Sequence, residues 1–286
     1  MKRSALTDTI AGIRTYCPGN TVGEAEALTP ACAGLPIFQA PLIGVASAAD
    51  PLFEKFKEAS VVGGPYAPPA AWLPGARSVI CLFFPFNPEI TAANGKLPVE
   101  TAPGWLHGRI EGQAYIIRFM KSLVQALEAA GHRAVNPASD PRFSYTLDAV
   151  KDGSGKNVNL KTASAWPERH AAYAAGLGTF GLSKGLITKA GIAGRLGSVI
   201  TNAAIPADNR PYTGIYDYCI RCGACVRRCP AHAIALDKGK NHKLCYDWMM
   251  GTKAKYAPRL GCGKCQCAVP CAKPDFLART RKKRER

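Results

Sequence analysis

The feature that most constrains this chain is a run of four cysteines, Cys219, Cys222, Cys225 and Cys229, spaced C-x2-C-x2-C-x3-C and followed by Pro230. Three thiols two residues apart wrap a short loop around one iron–sulfur cubane, and the fourth points away to a second cubane. Gly223, within the run, lets the backbone turn tightly over the sulfides. Zinc usually draws on two separated C-x2-C pairs rather than four cysteines in one run. The spacing therefore argues for 4Fe–4S clusters, and any fold for this chain has to hold them near residue 220.

Of the twelve cysteines, Cys17, Cys32 and Cys81 are scattered, and the other nine lie between Cys219 and Cys271. The N-terminus carries no apolar stretch or cleavage site of a secretion signal, and no run of 18 apolar residues exists to span a membrane. A cytoplasmic location follows as the expectation, and a reducing compartment disfavours structural disulfides. Beyond the run stand Cys245, Cys262, Cys265, Cys267 and Cys271. Two cubanes need eight thiolates, so one cysteine is spare. On spacing alone, Cys267 and Cys271 compete for the last place.

Residues 1–205 read as mixed α/β. Residues 76–84 (ARSVICLFF) suit a buried strand, and residues 195–204 (RLGSVITNAA) another. Residues 112–130 carry Ile116, Ile117, Met120, Leu123, Val124 and Leu127 at helical spacing, with Gly131 as a stop. Residues 167–175 suit a helix ending at Gly176. Residues 63–74 are turn-rich, with four prolines, and residues 152–159 (DGSGKNVN) read as an exposed loop. Composition shifts near residues 206–211 (PADNRP). We therefore divide the chain into a domain at 1–205, a two-cluster ferredoxin-like domain at 206–278 and a basic tail at 279–286 (RTRKKRER). The net charge of +17 suits a small acidic electron donor such as a ferredoxin or flavodoxin. Nucleic acid is a weaker fit, and no membrane partner is expected.

The cysteine segment resembles the double-cluster domain of epoxyqueuosine reductases, a family related to reductive dehalogenases. The resemblance extends upstream through Glu168-Arg169-His170, Gly176-Leu177-Gly178 and Phe180-Gly181, and the interval from Cys229 to Cys245 matches the family's. It implies an α/β fold in which a nitroreductase-like, corrinoid-binding domain precedes the two-cluster domain. It further implies two 4Fe–4S clusters, one on Cys219, Cys222, Cys225 and Cys271, the other on Cys229, Cys245, Cys262 and Cys265, with Cys267 spare. Cobalamin is the implied second cofactor. The positions that match the corrinoid-binding region are Thr162, Glu168, Arg169, Gly176, Gly178, Gly181 and Lys184.

The chain departs from that family at informative places. The family's proton-donating aspartate falls at Thr162, whose hydroxyl is too weak an acid to replace a carboxylic acid near neutral pH. Leu182 stands where the family has a lysine, with Lys184 two residues on. The family's helical-repeat tRNA-binding domain has no counterpart in this sequence. The expectation is therefore a cobalamin- and iron–sulfur-dependent reductase of a small substrate, distinct from the tRNA enzyme. The alternative is an electron-transfer protein that reduces the corrinoid or metal centre of a partner protein. Tyr145, Asp148 and Asp152 are the candidate proton donors. His107, His132, His170, His232 and His242 lack ligand spacing and read as surface or packing residues.

Overall fold

The computed structural model describes residues 1–278 and Thr280; the rest of the basic tail read at 279–286 lies outside the described residues. In chain order the helices are α1 (Arg3–Tyr16), α2 (Pro51–Lys55), α3 (Pro69–Trp72), α4 (Pro88–Lys96), α5 (Pro103–His107), α6 (Glu111–Ala129), α7 (Glu168–Ala174), α8 (Ala224–Arg227) and α9 (His242–Tyr256). The strands are β1 (Leu42–Ser47), β2 (Ser78–Pro85), β3 (Ala134–Val135), β4 (Tyr145–Lys151), β5 (Asn157–Ser164), β6 (Gly178–Phe180), β7 (Leu186–Thr188), β8 (Gly194–Thr201), β9 (Ile234–Ala235) and β10 (Gly239–Lys240). Among the described residues no helix is long and apolar enough to cross a membrane.

The centre is a four-stranded sheet in the order β1-β2-β8-β3. Every neighbouring pair in it is antiparallel. The apolar run of β2 is buried at every position because both faces of the sheet are covered. Successive side chains alternate. Ile80, Leu82 and Phe84 join a core with Leu6, Ile10 and Ile13 of α1 and Tyr115, Phe119 and Leu123 of α6. Val79, Cys81 and Phe83 face the opposite core, built from Phe53, Phe56, Trp72, Trp166 and the alanines of α7. The three scattered cysteines, Cys17, Cys32 and Cys81, are buried in these two cores.

Local signals end the two helices that frame the functional site. After α6, the Gly131 amide bonds to the Glu128 carbonyl at 2.9 Å and the His132 amide to the Leu127 carbonyl at 3.0 Å. This paired closure needs a left-handed residue, and Gly131 supplies it with φ +81°. After α7, Gly176 does the same with φ +79°, and a Cβ there would meet the Asn209 carbonyl oxygen at 2.8 Å. The α6 stripe packs as read except for Ile117, which is 46% exposed. The loop read at 152–159 is shorter in the structure: a turn tied by the Asp152 carboxylate to Ser154 and Lys156 leads at Asn157 into β5, which pairs with β4 as a hairpin.

The cysteine-bearing segment is tied to the sheet domain by buried polar contacts. The Asn94 side-chain amide of α4 donates to the Cys262 carbonyl at 2.9 Å, and the Thr101 hydroxyl donates to the Gly261 carbonyl at 2.9 Å. Lys264, fully buried, donates to the Asn94 carbonyl at 2.7 Å. Arg259 pairs with Glu111 at the start of α6. At Gly263 a Cβ would overlap the Trp105 ring at 2.1 Å, so only glycine allows this approach.

Candidate functional site

The nine clustered thiols separate into two groups and a remainder. Cys219, Cys222, Cys225 and Cys271 line one narrow cavity, together with Gly181, Leu182, Ile187, Ile192, Val269 and Phe276. Cys229, Cys245, Cys262 and Cys265 line a second cavity of about 250 Å³. Among the described residues, no three His, Cys, Asp or Glu side chains converge on one ion-sized point; the thiols ring two open spaces instead. The electrostatics sort them the same way. Burial pushes the Cys271 thiol up to about 12, helped by Cys225, Cys219 and Cys222. Cys265 is likewise pushed up to about 12, mainly by burial, with Cys262, Cys245 and Cys229 adding to it and Lys240 opposing. Loading iron onto such a set releases protons. Cys267 lines neither cavity. It is fully buried in the sheet core, its sulfur 3.5 Å from the Asn94 amide nitrogen, and burial raises its thiol to about 11.

A third and larger cavity, about 720 Å³, lies between α6, α7, the β4–β5 hairpin and the edge of β8. Thr162, Glu168, Arg169 and Lys184 of the expected site line it, as does Tyr145. Asp148 and Asp152 do not. Asp148 sits opposite Lys161 on the exposed hairpin, and Asp152 is held ionised by its turn hydrogen bonds, below the usual carboxylate range. Gly176, Gly178 and Gly181 are also absent from this lining, and each has a backbone role. Gly176 ends α7. Gly178 lies so close to β7 that a Cβ would meet the Ile187 carbonyl at 2.0 Å. Gly181 opens the 181–185 turn, where Lys184 adopts φ 62°, and lines the first thiol cavity. The Lys184 ammonium bonds the Tyr216 hydroxyl and lies 5.1 Å from its ring centroid.

The charge balance of the large cavity is one-sided. Glu168 is the only carboxyl among the described residues lining it. Both its oxygens are buried without a full hydrogen-bond partner. Burial raises its pKa to about 7, only partly offset by the hydroxyl and amide of Ser198, which face it at a looser geometry. Facing it are Arg109, Arg169, Arg195, Lys184, His170 and His242. His170 and His242 are both lowered to about 4, chiefly by burial and then by neighbouring cations, so both are neutral imidazoles at pH 7. His170 packs against Phe56 and Phe180 as well, so packing describes it only in part. Sequence spacing did not single out either histidine, nor Arg109 or Arg195. Their positions span residues 109 to 242, and only folding brings them together.

Arg109, Arg169, Gly194, Arg195 and Gln266 line both the large cavity and the second thiol cavity. They are the common wall between the two spaces.

Comparison with known proteins agrees with the reading of the four-cysteine run as a 4Fe–4S binding segment. A model of the 4Fe-4S binding domain matches residues 212–235, the segment that carries the four-cysteine run. No curated protein matches. A solved reductive dehalogenase, described as suggesting a mechanism for B12-dependent dehalogenation, superposes with a TM-score of 0.52 at 14% identity, over 85% of this chain and 31% of its own. The catabolic reductive dehalogenase NpRdhA superposes with a TM-score of 0.51 at 15% identity, over 81% of this chain and 30% of its own. An epoxyqueuosine reductase from Streptococcus thermophilus gives 0.46 at 21% identity, over 80% of this chain and 61% of its own. The chain thus spans under a third of the length of the two dehalogenases. At these identities the likeness to the dehalogenases is one of fold: a mixed α/β protein that carries a 4Fe–4S binding segment.

Proposed function

We propose that the chain is an iron–sulfur oxidoreductase in which two 4Fe–4S clusters pass electrons to a cobalamin held in the large cavity, where a small substrate is reduced. In this reading residues 1–205 form a nitroreductase-like corrinoid domain and residues 206–278 the cluster domain. Cys219, Cys222, Cys225 and Cys271 bind one cluster, Cys229, Cys245, Cys262 and Cys265 bind the other, and Cys267 binds neither. The observation that carries the reading is the common wall. A cluster ringed by the second thiol set lies directly beside whatever occupies the large cavity.

The cavity's residues fit a corrinoid. The amide-rich rim of such a ligand needs both donors and acceptors. Gln113, Thr162, Lys184 and Gln266 line the space, and the buried Asn136 Oδ1 is an acceptor without a partner. When bound, a corrinoid supplies a strongly reducing metal centre, chemistry that amino-acid side chains cannot provide. The chain's own residues do the remaining work. Glu168, with a pKa of about 7, is protonated in about half the molecules at neutral pH and offers the acid that Thr162 does not. Gln113 accepts from the Arg195 Nε at 3.1 Å and fixes that guanidinium in the wall. Ile116, Ile117 and Met120 give the cavity an apolar side, which limits water near the reacting bond.

Anaerobic visible spectroscopy of the iron-loaded protein, titrated with cobalamin, tests this proposal. A saturating shift of the corrinoid bands supports it. An unchanged sum of the two spectra removes the corrinoid and leaves the alternative, delivery of electrons to the metal centre of a partner protein.

A further inference from the structure

From the common wall we infer a substrate class: the large cavity takes a small molecule bearing an oxyanion, a carboxylate or a phosphoryl group, which Arg109, Arg169 and Arg195 bind beside the second thiol cavity. The inference rests on the reading of this cavity as the place of reduction, and it deepens that reading.

Three elements deliver these guanidiniums to one place. Arg109 follows α5, Arg169 is the second residue of α7, and Arg195 the second of β8. Each lines the large cavity and the second thiol cavity alike. None of them pairs with a carboxylate among the described residues: every ion pair involves other arginines, lysines or His107. Among the described residues, the one hydrogen-bond partner of Arg195's side chain is the neutral Gln113 side chain, and the side chains of Arg109 and Arg169 make no hydrogen bond. Mutual repulsion is felt, since burial together with Arg109 and Arg169 lowers Arg195 to about 10. Arg109 and Arg169 are exposed and Arg195 is half-buried, so solvent screens part of this repulsion and leaves the guanidiniums open to an arriving anion.

The cluster itself does not account for all of them. A 4Fe–4S core on four thiolates carries a net charge of about −2. Lys240 and Lys264 already line the thiol cavity, one positive charge each, and act on Cys265 and Cys262 respectively. Arg169 acts on Cys265 as well; Arg109, Arg195 and Lys184 remain facing the large cavity, where the only carboxyl among the described residues lining it, Glu168, has a pKa raised to about 7 and is largely neutral below it. Planar forked donors match carboxylate and phosphoryl oxygens in pairs. Asn136 Oδ1, buried and unpartnered, waits on the same lining for a donor elsewhere on the ligand.

The test is calorimetric titration of the anaerobic protein at low salt, loaded with iron and with cobalamin so that the corrinoid's own phosphodiester is already seated, with inorganic phosphate in one series and succinate in the other. One of the two should bind saturably, and which one does identifies the oxyanion. Arg109→Gln and Arg195→Gln should each weaken it by about tenfold or more, Arg195→Lys by less, with iron content unchanged. Arg109 follows a short helix, and its side chain makes no hydrogen bond among the described residues, so its variant keeps the test available should Arg195→Gln fail to fold. Three results overturn the inference: neither anion binding, binding indifferent to both substitutions, or substitutions that cost iron rather than anion affinity, which would assign the guanidiniums to the cluster. Iron uptake is read separately: wild-type protein that takes up no iron on reconstitution would defeat the redox reading, while saturable anion binding by that same protein would leave the anion site standing.

Discussion

The two thiol cavities sit in one short segment of chain and have contrasting surroundings. The first rests on aliphatic and aromatic side chains, Ile187, Ile192, Val269 and Phe276. One of its thiols, Cys222, is exposed, and the exposed Ile220, Arg221 and Arg227 lie around it. The second is walled by Trp105, Arg109, Arg169, Arg195, Lys240 and Lys264, and none of its thiols is exposed. Positive charge and hydrogen bonds near a cluster raise its potential, while an apolar bed does not. An exposed first cluster of lower potential and an enclosed second cluster of higher potential would draw electrons inward, from a surface donor toward the large cavity.

The largest effect that can break this contrast is loss of a cluster. Cys225→Ser should remove the first cluster and Cys265→Ser the second, each leaving about half the iron, whereas Cys267→Ser should leave iron content unchanged. Iron analysis of the three variants checks the partition. If Cys267→Ser costs a cluster and a Cys271 variant does not, the two sets are wrongly drawn.

Next in size is the buried cation. Lys264→Met removes a charge that faces only the second set and leaves the Asn94 carbonyl without its lysine donor. The expected cost to stability is about 1–3 kcal/mol, and the second cluster alone should shift to lower potential in a redox titration followed by electron paramagnetic resonance. Equal movement of both clusters would erase the distinction.

A third prediction concerns Glu168. Its folded pKa, about 7, lies above the ordinary value of 4.5. Between those values the folded protein holds a proton that the unfolded chain has released, so stability falls as pH rises through the window. Relative to Glu168→Gln, the wild type should lose on the order of 3 kcal/mol from pH 4.5 to pH 7. Denaturation at a series of pH values measures it. Parallel profiles for the two proteins would mean that the carboxyl is not buried as described.

The smallest effect is at the entry. Reversing Arg221 and Arg227 to glutamate should slow reduction by an acidic donor protein severalfold at low salt, with the difference shrinking as salt rises. A loss independent of salt would place the docking surface elsewhere.

Sequence alone revealed what depends on neighbours along the chain. The four-cysteine run, the strand at β2 and the helix α6 with its Gly131 stop are local patterns. The glycines at 176, 178 and 181 were also visible, but their local signal is ambiguous, because a helix end, a close strand pair and a turn ask for the same residue as a ligand-facing backbone would. What sequence could not reveal is convergence. Ile117 lies on the helical stripe yet opens onto the cavity that β4 and β5 residues also line. Arg109, Arg169 and Arg195 share no motif, and their role exists only once α5, α7 and β8 meet. Thr162 seemed to leave the site without an acid, while the neighbouring Glu168 acquires that capacity only through burial.

The central claim is that this chain holds two cubanes in separate thiol sets, and the most direct measurement is iron and acid-labile sulfide content after anaerobic reconstitution. The account expects about eight of each per chain. About four of each, or zinc in place of iron, would contradict it.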